Sequence, residues 1–460
     1  MLAYRGFYAA ILSGVDFVTC NRLILSRRYC KPETYPERTI DTIGQTTDGS
    51  IQKLFDTNPE IPRFKIPAMM NRPTSLLLNA AHALDHLVLL IFASAVTAIA
   101  LEFGIDRWED LMPYTAGAFI MFGLGSIPSG RLGDLWGRRK MMLVFFAGIS
   151  VSCIAVALSQ SPLQIAVALT IMGAFSSIYH PVGIPMLLAQ SQRPGRIIGW
   201  NNLAGNMGLA IAAILTGFMV KYFGWRAAFI LPAVLSAVMG FLFAQFAPQE
   251  EHAPAKRKSS QAAIPRAVTM RALFVITIAA TSGALLFNFT TNGNTELLRE
   301  RFTGIISDPA TLGILLACIY AIAAFSQVAV GYLLDHVPMK PLYMGIVASQ
   351  IVLLFIAAES SGWVLFFCAV GYMAMIFGAI PFIDAVVVRY VDDSMRSRVA
   401  GIRLATSFGI SGIAVYLLGP IVKATSFEAL FFAMTAIACF TAFTIAWLPS
   451  EKRIQQSLRT

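Results

Sequence analysis

The chain has 460 residues, of which 57% are hydrophobic and only 13% charged, with a mean hydropathy of +0.67. That is roughly half the charge of a soluble domain, so the composition excludes an ordinary water-soluble enzyme and points to a polytopic membrane protein. The net charge of +10 would suit a nucleic-acid ligand, but the basic residues are sorted by loop, which is a mark of membrane topology instead.

Residues 1–73 read as a polar N-terminal extension. The segment MLAYRGFYAAILSGVDFVTCNRL has an apolar stretch interrupted by Asp16, too short to span and without a signal-peptide cleavage pattern. The following RRYCKPETYPERTIDTIGQTTDGS has the composition of a disordered segment. Met70, just ahead of the first apolar run, is an alternative start that would leave 391 residues. Stretches long enough to cross about 30 Å of hydrocarbon then recur at approximately 74–101, 113–132, 141–160, 163–189, 197–220 and 226–247. A hydrophilic loop at 248–271 precedes six more, at 272–298, 310–334, 341–358, 363–388, 399–422 and 427–448, and a tail at 449–460. Of the Lys and Arg beyond residue 60, one side of this twelve-span arrangement collects 22 and the other 6. The asymmetry predicts that both termini and the loop 248–271 face the cytoplasm. The six cysteines have no metal-like or disulfide-like spacing: Cys153, Cys318, Cys368 and Cys439 fall within spans, Cys20 and Cys30 on the reducing side.

The two sets of six spans repeat one another at an offset near 200. GRLGD (130–134) corresponds to GYLLD (331–335), Pro181 to Pro381, Gly208 to Gly412 and GWRAAF (224–229) to SFEALF (426–431). Four correspondences in order argue for duplication and predict an all-α membrane protein of two pseudo-symmetric six-helix bundles, 74–247 and 272–448. In such parallel-repeat carriers the substrate site lies near the bilayer midplane, between the halves. The glycines of spans five and eleven, Gly199, Gly205, Gly208, Gly217, Gly401, Gly409, Gly412 and Gly419, read mainly as packing positions.

Between spans two and three the sequence is GRLGDLWGRRKMM. Gly130 and Gly133 permit a tight turn where helices meet. Asp134 can face polarised helix N-terminal amides, and Arg138, Arg139 and Lys140 anchor a cytoplasmic surface. The loop resembles the signature of the major facilitator superfamily, G-x-x-x-D-(R/K)-x-G-x-(R/K)-(R/K). Gly130, Asp134, Gly137, Arg139 and Lys140 match it, while Leu135 replaces the usual basic residue. The resemblance covers 74–448 and implies a transporter in which Asp134 and Arg139 act as a conformational latch. Gly331 and Asp335 keep part of that pattern in the second half, without the double basic pair. SSIYHPVGIPML, GWNNLAGNMG and FGAIPFIDAVVVRYVDDSMRSRVAGIR are similar to segments of fosmidomycin-resistance-like bacterial permeases. The drug/proton antiporter pattern G-x-x-x-G-P-x-x-G-G is not met, because AGNMG has no Pro, which argues against a multidrug carrier.

Span one carries HALDH, with His82, Asp85 and His86 on one helical face. Asp85 and His180 of span four fall near the midplane and Asp384 of span ten nearer the cytoplasm, where ionisable groups face a wet cavity or a partner. The resemblance implies that helices one, four, seven and ten line that cavity. A buried Asp beside imidazoles can exchange protons near neutral pH, so His82, Asp85, His86, His180 and Asp384 are candidates for proton coupling or substrate contact. The alternative is a hydrogen-bonded knot between spans one and four. Asn288, Asn292 and Glu296 form a stripe on span seven that would line the pathway or bond between helices.

HALDH also resembles the zinc-hydrolase pattern H-x-x-E-H. It has Asp for the expected Glu, and no third ligand motif stands out, so neither a metal site nor a cofactor is assigned. No phosphate-binding G-x-x-x-x-G-K-(S/T) loop appears. No Lys or Arg falls mid-span, which disfavours strongly anionic cargo. The expectation is a monomeric, proton-linked carrier of a small organic solute in a bacterial-type inner membrane, with lipid but no nucleic acid as partner. A transporter-shaped sensor or assembly partner is the alternative of a different class, and an intramembrane metalloprotease or metal carrier a remoter one.

Overall fold

The computed structural model describes residues 72–188, 194–249, 266–390 and 393–448. The readings of the N-terminal extension, of most of the central loop and of the tail therefore lie outside the described residues. In hydrocarbon every backbone N–H and C=O must find a partner within its own segment, and apolar runs of this length meet that demand as helices. Among the described residues twelve long helical segments result: α1 (Arg72–Glu102), α2 (Ala116–Trp136), α3 (Arg138–Leu158), α4 (Pro162–Ser176), α5 (Pro194–Tyr222), α6 (Trp225–Phe246), α7 (Arg266–Arg301), α8 (Pro309–His336), α9 (Met339–Glu359), α10 (Gly362–Tyr390), α11 (Asp393–Ala424) and α12 (Phe427–Ala446). A short turn of helix at Trp108–Leu111 and a 3-10 turn at Met112–Thr115 lead into α2, and a π turn at Tyr179–Gly183 with a last turn at Ile184–Leu188 extends α4.

With those turns counted into α2 (Trp108–Trp136) and α4 (Pro162–Leu188), ten of the segments are long and apolar enough to cross a membrane among the described residues. The chain is an integral membrane protein. The other two, α7 and α11, carry polar or charged stretches, and in α11 only Gly409–Ala424 is apolar among the described residues. Helices overrun the expected spans, α7 reaching Arg266–Arg301 instead of 272–298. Hydropathy marks the part that needs hydrocarbon, whereas the hydrogen-bond ladder continues into the interface.

Helix starts are local. The side chains of Ser161, Asp308 and Ser426 accept from the amides of Gln164, Thr311 and Ala429 and so cap α4, α8 and α12. Pro follows the cap in α4 and α8, where its missing N–H removes nothing from the helix. The break between α2 and α3 falls on Gly137, whose φ of 95° is strained for any residue with a Cβ.

The packing repeats with the sequence. In the first half α1 packs on α5, α2 on α4 and α3 on α6; in the second α7 packs on α11, α8 on α10 and α9 on α12. The halves meet through α5 against α8 and α2 against α11, which are equivalent pairs under the same duplication. Capping contacts repeat as well. At the start of α3, Arg139 donates to the Ala244 and Ala247 carbonyls at the end of α6. At the start of α9, Lys340 donates to the Ala446 and Leu448 carbonyls at the end of α12. In both places a cation satisfies carbonyls that have no partner within their own helix.

One end of the interface between the halves is bolted. Lys221 at the end of α5 pairs with Asp308 at the start of α8, at 2.8 Å. Lys423 at the end of α11 pairs with Asp110, ahead of α2. Trp108 stacks on Phe427, with ring centroids 6.0 Å apart. Helix backbones also touch here: a Cβ on Gly217 would lie 2.5 Å from the Pro309 carbonyl oxygen, and one on Gly419 would lie 2.2 Å from that of Glu109. Among the described residues, every ion pair between the halves sits at this end.

Candidate functional site

The titratable cluster is assembled from α1, α4 and α5. Asp85 lies 13 residues into α1, about 20 Å along its axis. Its side chain is fully buried, and His82 is 2% exposed. His180 arrives from the π turn that follows α4. Pro181 cannot donate to the carbonyl one turn earlier, and the helix widens around it, a distortion common at functional sites. His180 Nε2 stands 3.7 Å from Asp85 Oδ2, with 16% of the His180 side chain exposed. The rings of His86 and His180 make edge contacts with that of His82, at centroid distances of 4.8 and 5.0 Å. Phe122 of α2 covers His180 edge-on.

A polar scaffold holds the cluster. Tyr179 stacks on His82 at 4.7 Å, and its hydroxyl donates to the Leu78 carbonyl at 2.8 Å. The Asn201 amide of α5 donates to that hydroxyl at 2.7 Å and to Asn79 Oδ1 at 3.0 Å. His82 Nδ1 lies 2.7 Å from the Asn201 carbonyl oxygen. A carbonyl only accepts, so Nδ1 carries the proton and Nε2 of the neutral ring keeps its lone pair. Close approach of α5 makes room for the arrangement. A Cβ on Gly205 would fall 2.6 Å from the His82 ring, and one on Gly208 would fall 2.1 Å from the Ala83 carbonyl oxygen.

At the centre, His82 Nε2, His86 Nε2 and both Asp85 oxygens are buried without a hydrogen bond of normal geometry. Ser176, also buried, lies beside Asp85. Lone pairs packed this closely with so few donors suit a positively charged occupant, whether a proton or a cation. Sequence reasoning picks out His82, Asp85, His86 and His180 but misses Tyr179, Asn79, Asn201 and Ser176. A signal was present, since each is a polar residue inside an apolar run, yet none carries a charge at neutral pH.

The other candidates fall elsewhere. Asn288 is buried on α7 and donates to Ser411 Oγ of α11 at 2.8 Å. Asn292, also buried, donates to the Asn288 carbonyl. Both stay within the α7 side of the second half and do not join the α1 cluster. Glu296 is 2% exposed and pairs with Arg299 at 3.2 Å. Asp335 and Asp384 lie on α8 and α10, and their side chains are outside the described residues. Gly130 and Gly133 lie within the last turns of α2 rather than in the expected tight turn, which falls on Gly137; Gly130 meets Pro181 and Gly133 meets Val182, so this end of α2 packs on the turn that carries His180. Asp134 is exposed, and no ion pair joins it to Arg139 among the described residues. The expected Asp134–Arg139 pair is not made in this conformation, because the carbonyls at the end of α6 take the guanidinium instead.

Residues 78–302 match the family model described as Major Facilitator Superfamily. Among solved structures, a D-xylose-proton symporter superposes with a TM-score of 0.69 at 14% identity, covering 82% of this chain and 98% of that one. The inward open xylose transporter XylE from E. coli gives a TM-score of 0.69 at 12% identity, covering 84% and 98%. The fold is that of the major facilitator superfamily. Proteins similar in sequence include the tetracenomycin C resistance and export protein of Streptomyces glaucescens, 31% identical over 151 residues, 32% of this chain and 28% of that protein. The multidrug resistance protein MdtG of Proteus mirabilis is 23% identical over 367 residues, 75% of this chain and 88% of that protein. For most of the curated relatives it matches, the chain spans only about a third of their length.

Proposed function

We propose that the chain is a secondary active transporter that moves a small organic solute by alternating access between its two bundles, coupled to protons through Asp85. The observation that carries this reading is a fully buried carboxylate deep in α1 with His180 at 3.7 Å and His82 and His86 alongside. Such a group is costly in a membrane and is retained where ions pass. The bolts at one end of the interface fit one extreme of a rocking cycle, with access at the opposite end. Charge asymmetry supports an inner-membrane orientation with both termini and that access side cytoplasmic. SSIYHPVGIPML, which now contains the His180 turn, supports placement near the fosmidomycin-resistance-like permeases. Asp134 is the candidate latch residue of the opposite conformation, in which the cytoplasmic ends close, and Arg139 would have to leave the end of α6 to reach it.

The test is Asp85→Asn in proteoliposomes under an imposed pH gradient. Gradient-driven transport is expected to fall to background while expression, insertion and thermal stability persist. Undiminished transport would reject coupling through Asp85. A cellular phenotype that survives neutralisation of both Asp85 and Asp384, without any measurable flux, would favour a sensor instead.

A further inference from the structure

The three imidazoles of the cluster do more than surround a carboxylate. One ligating atom from each of His82, His86 and His180 lies within 4.8 Å of the other two. A tetrahedral Zn2+ with metal–nitrogen bonds of about 2.0–2.1 Å holds its ligand atoms roughly 3.4 Å apart, so side-chain rotation of about an ångström closes the set. We propose that His82, His86 and His180, with Asp85 as fourth ligand, bind one first-row divalent transition metal of the Zn2+ class.

Four observations converge on that ion. The hydrogen bond from His82 Nδ1 to the Asn201 carbonyl fixes the tautomer and leaves Nε2 as the donor atom, which is the outer-sphere arrangement typical of metal-bound histidine. His82 Nε2 and His86 Nε2 are buried and make no hydrogen bond, so nothing in the protein competes for their lone pairs. Asp85, fully buried, supplies an oxygen and a compensating negative charge 3.7 Å from His180 Nε2. His86 and His180 retain partial exposure, so an ion can arrive without unfolding the bundle. Nitrogen-rich ligation selects the Zn2+ class over Mg2+ and Ca2+, which prefer all-oxygen shells. Binding displaces any proton on the same atoms, so metal and proton compete for the site. This inference deepens the carrier reading, because the ion would occupy the coupling site proposed above.

The experiment uses the full chain, purified in detergent with its affinity tag removed, and equilibrated with Zn2+ or Co2+. One equivalent per chain is expected to survive desalting, with Co2+ giving the visible bands of a tetrahedral site and excess Mg2+ failing to displace it. His86→Gln and His180→Gln should each weaken binding at least tenfold, whereas His336→Gln, at an exposed helix end, should leave it unchanged. X-ray absorption of Zn2+-loaded wild type needs no variant and should show a first shell of three imidazole nitrogens and an oxygen. Absence of a saturable equivalent, an all-oxygen or sulfur shell, or full retention of metal by a His86→Gln/His180→Gln double variant would overturn the proposal. Proton-gradient-driven solute transport, measured after the same preparations are reconstituted into proteoliposomes, separates the two readings. Protein that transports but takes up no metal overturns the metal site alone, and protein that takes up metal but moves no solute overturns the carrier alone.

Discussion

At the scale of single residues, the cluster depends on groups that carry no charge. The Asn201 backbone carbonyl holds His82 in one tautomer, Tyr179 stacks on the ring while its hydroxyl accepts from the Asn201 amide, and Gly205 and Gly208 let α5 come close enough for Asn201 to reach. Gly208→Ala would drive a methyl group into the Ala83 carbonyl, which is backbone and cannot swing aside. The expected cost is about 1–3 kcal/mol, read as a lower melting temperature in detergent. Gly199→Ala on the same helix, where a Cβ meets nothing within 4 Å, should be silent. HALDH was legible in the sequence because ionisable residues are conspicuous in an apolar run. The closeness of His180 was less so, since a 3.6-residue periodicity does not anticipate the wide turn at Pro181. The separation of Asn201 from His82, 119 positions along the chain, left their bond invisible to any local pattern.

At the scale of helices, cations at the start of one helix hold the end of another. Arg139 and Lys340 stand 201 positions apart and do the same work in the two halves. The signature motif directed attention to a pairing with Asp134, but a guanidinium offered several unpartnered carbonyls has an alternative that a loop motif does not reveal. Arg139→Ala is expected to destabilise the first bundle by about 1 kcal/mol, seen as faster hydrogen exchange at the end of α6. Asp134→Asn should leave the conformation described here undisturbed and alter only the rate of interconversion, measured by stopped-flow quenching of a labelled pair. The helices themselves were legible from hydropathy, and their overrun at polar ends was not, because backbone hydrogen bonding does not stop where hydrocarbon does. The polar stripe on α7 was visible, but its bond to Ser411 depends on the approach of α11.

At the scale of the whole molecule, the duplication written in the sequence at an offset near 200 reappears in which helices pack together and in what closes the interface. Lys221 and Lys423 are 202 positions apart, Asp308 and Asp110 are 198 apart, and the two ion pairs are counterparts. Neither pair was anticipated, since charges at loop ends look like ordinary solvated residues. The hydrogen bond from Lys221 holds the Asp308 carboxyl below the usual carboxylate range, with Thr311 assisting. A lowered carboxylate favours the closed arrangement at neutral pH and loses that effect only as pH falls through its depressed value. Mild acidification should therefore leave this bolt fastened. Asp308→Asn combined with Lys423→Ala should shift the population several-fold toward an opening of this end, detectable as faster labelling of a cysteine that replaces Leu312, a buried α8 residue beside Gly217.

Both bolts are wet, with each of their side chains between 34% and 46% exposed. Dissolved salt shields charges in that position, and its reach shortens as the medium grows more concentrated. The ease with which the halves part at this end is thus tuned by ionic strength, with no ligand needed to loosen them.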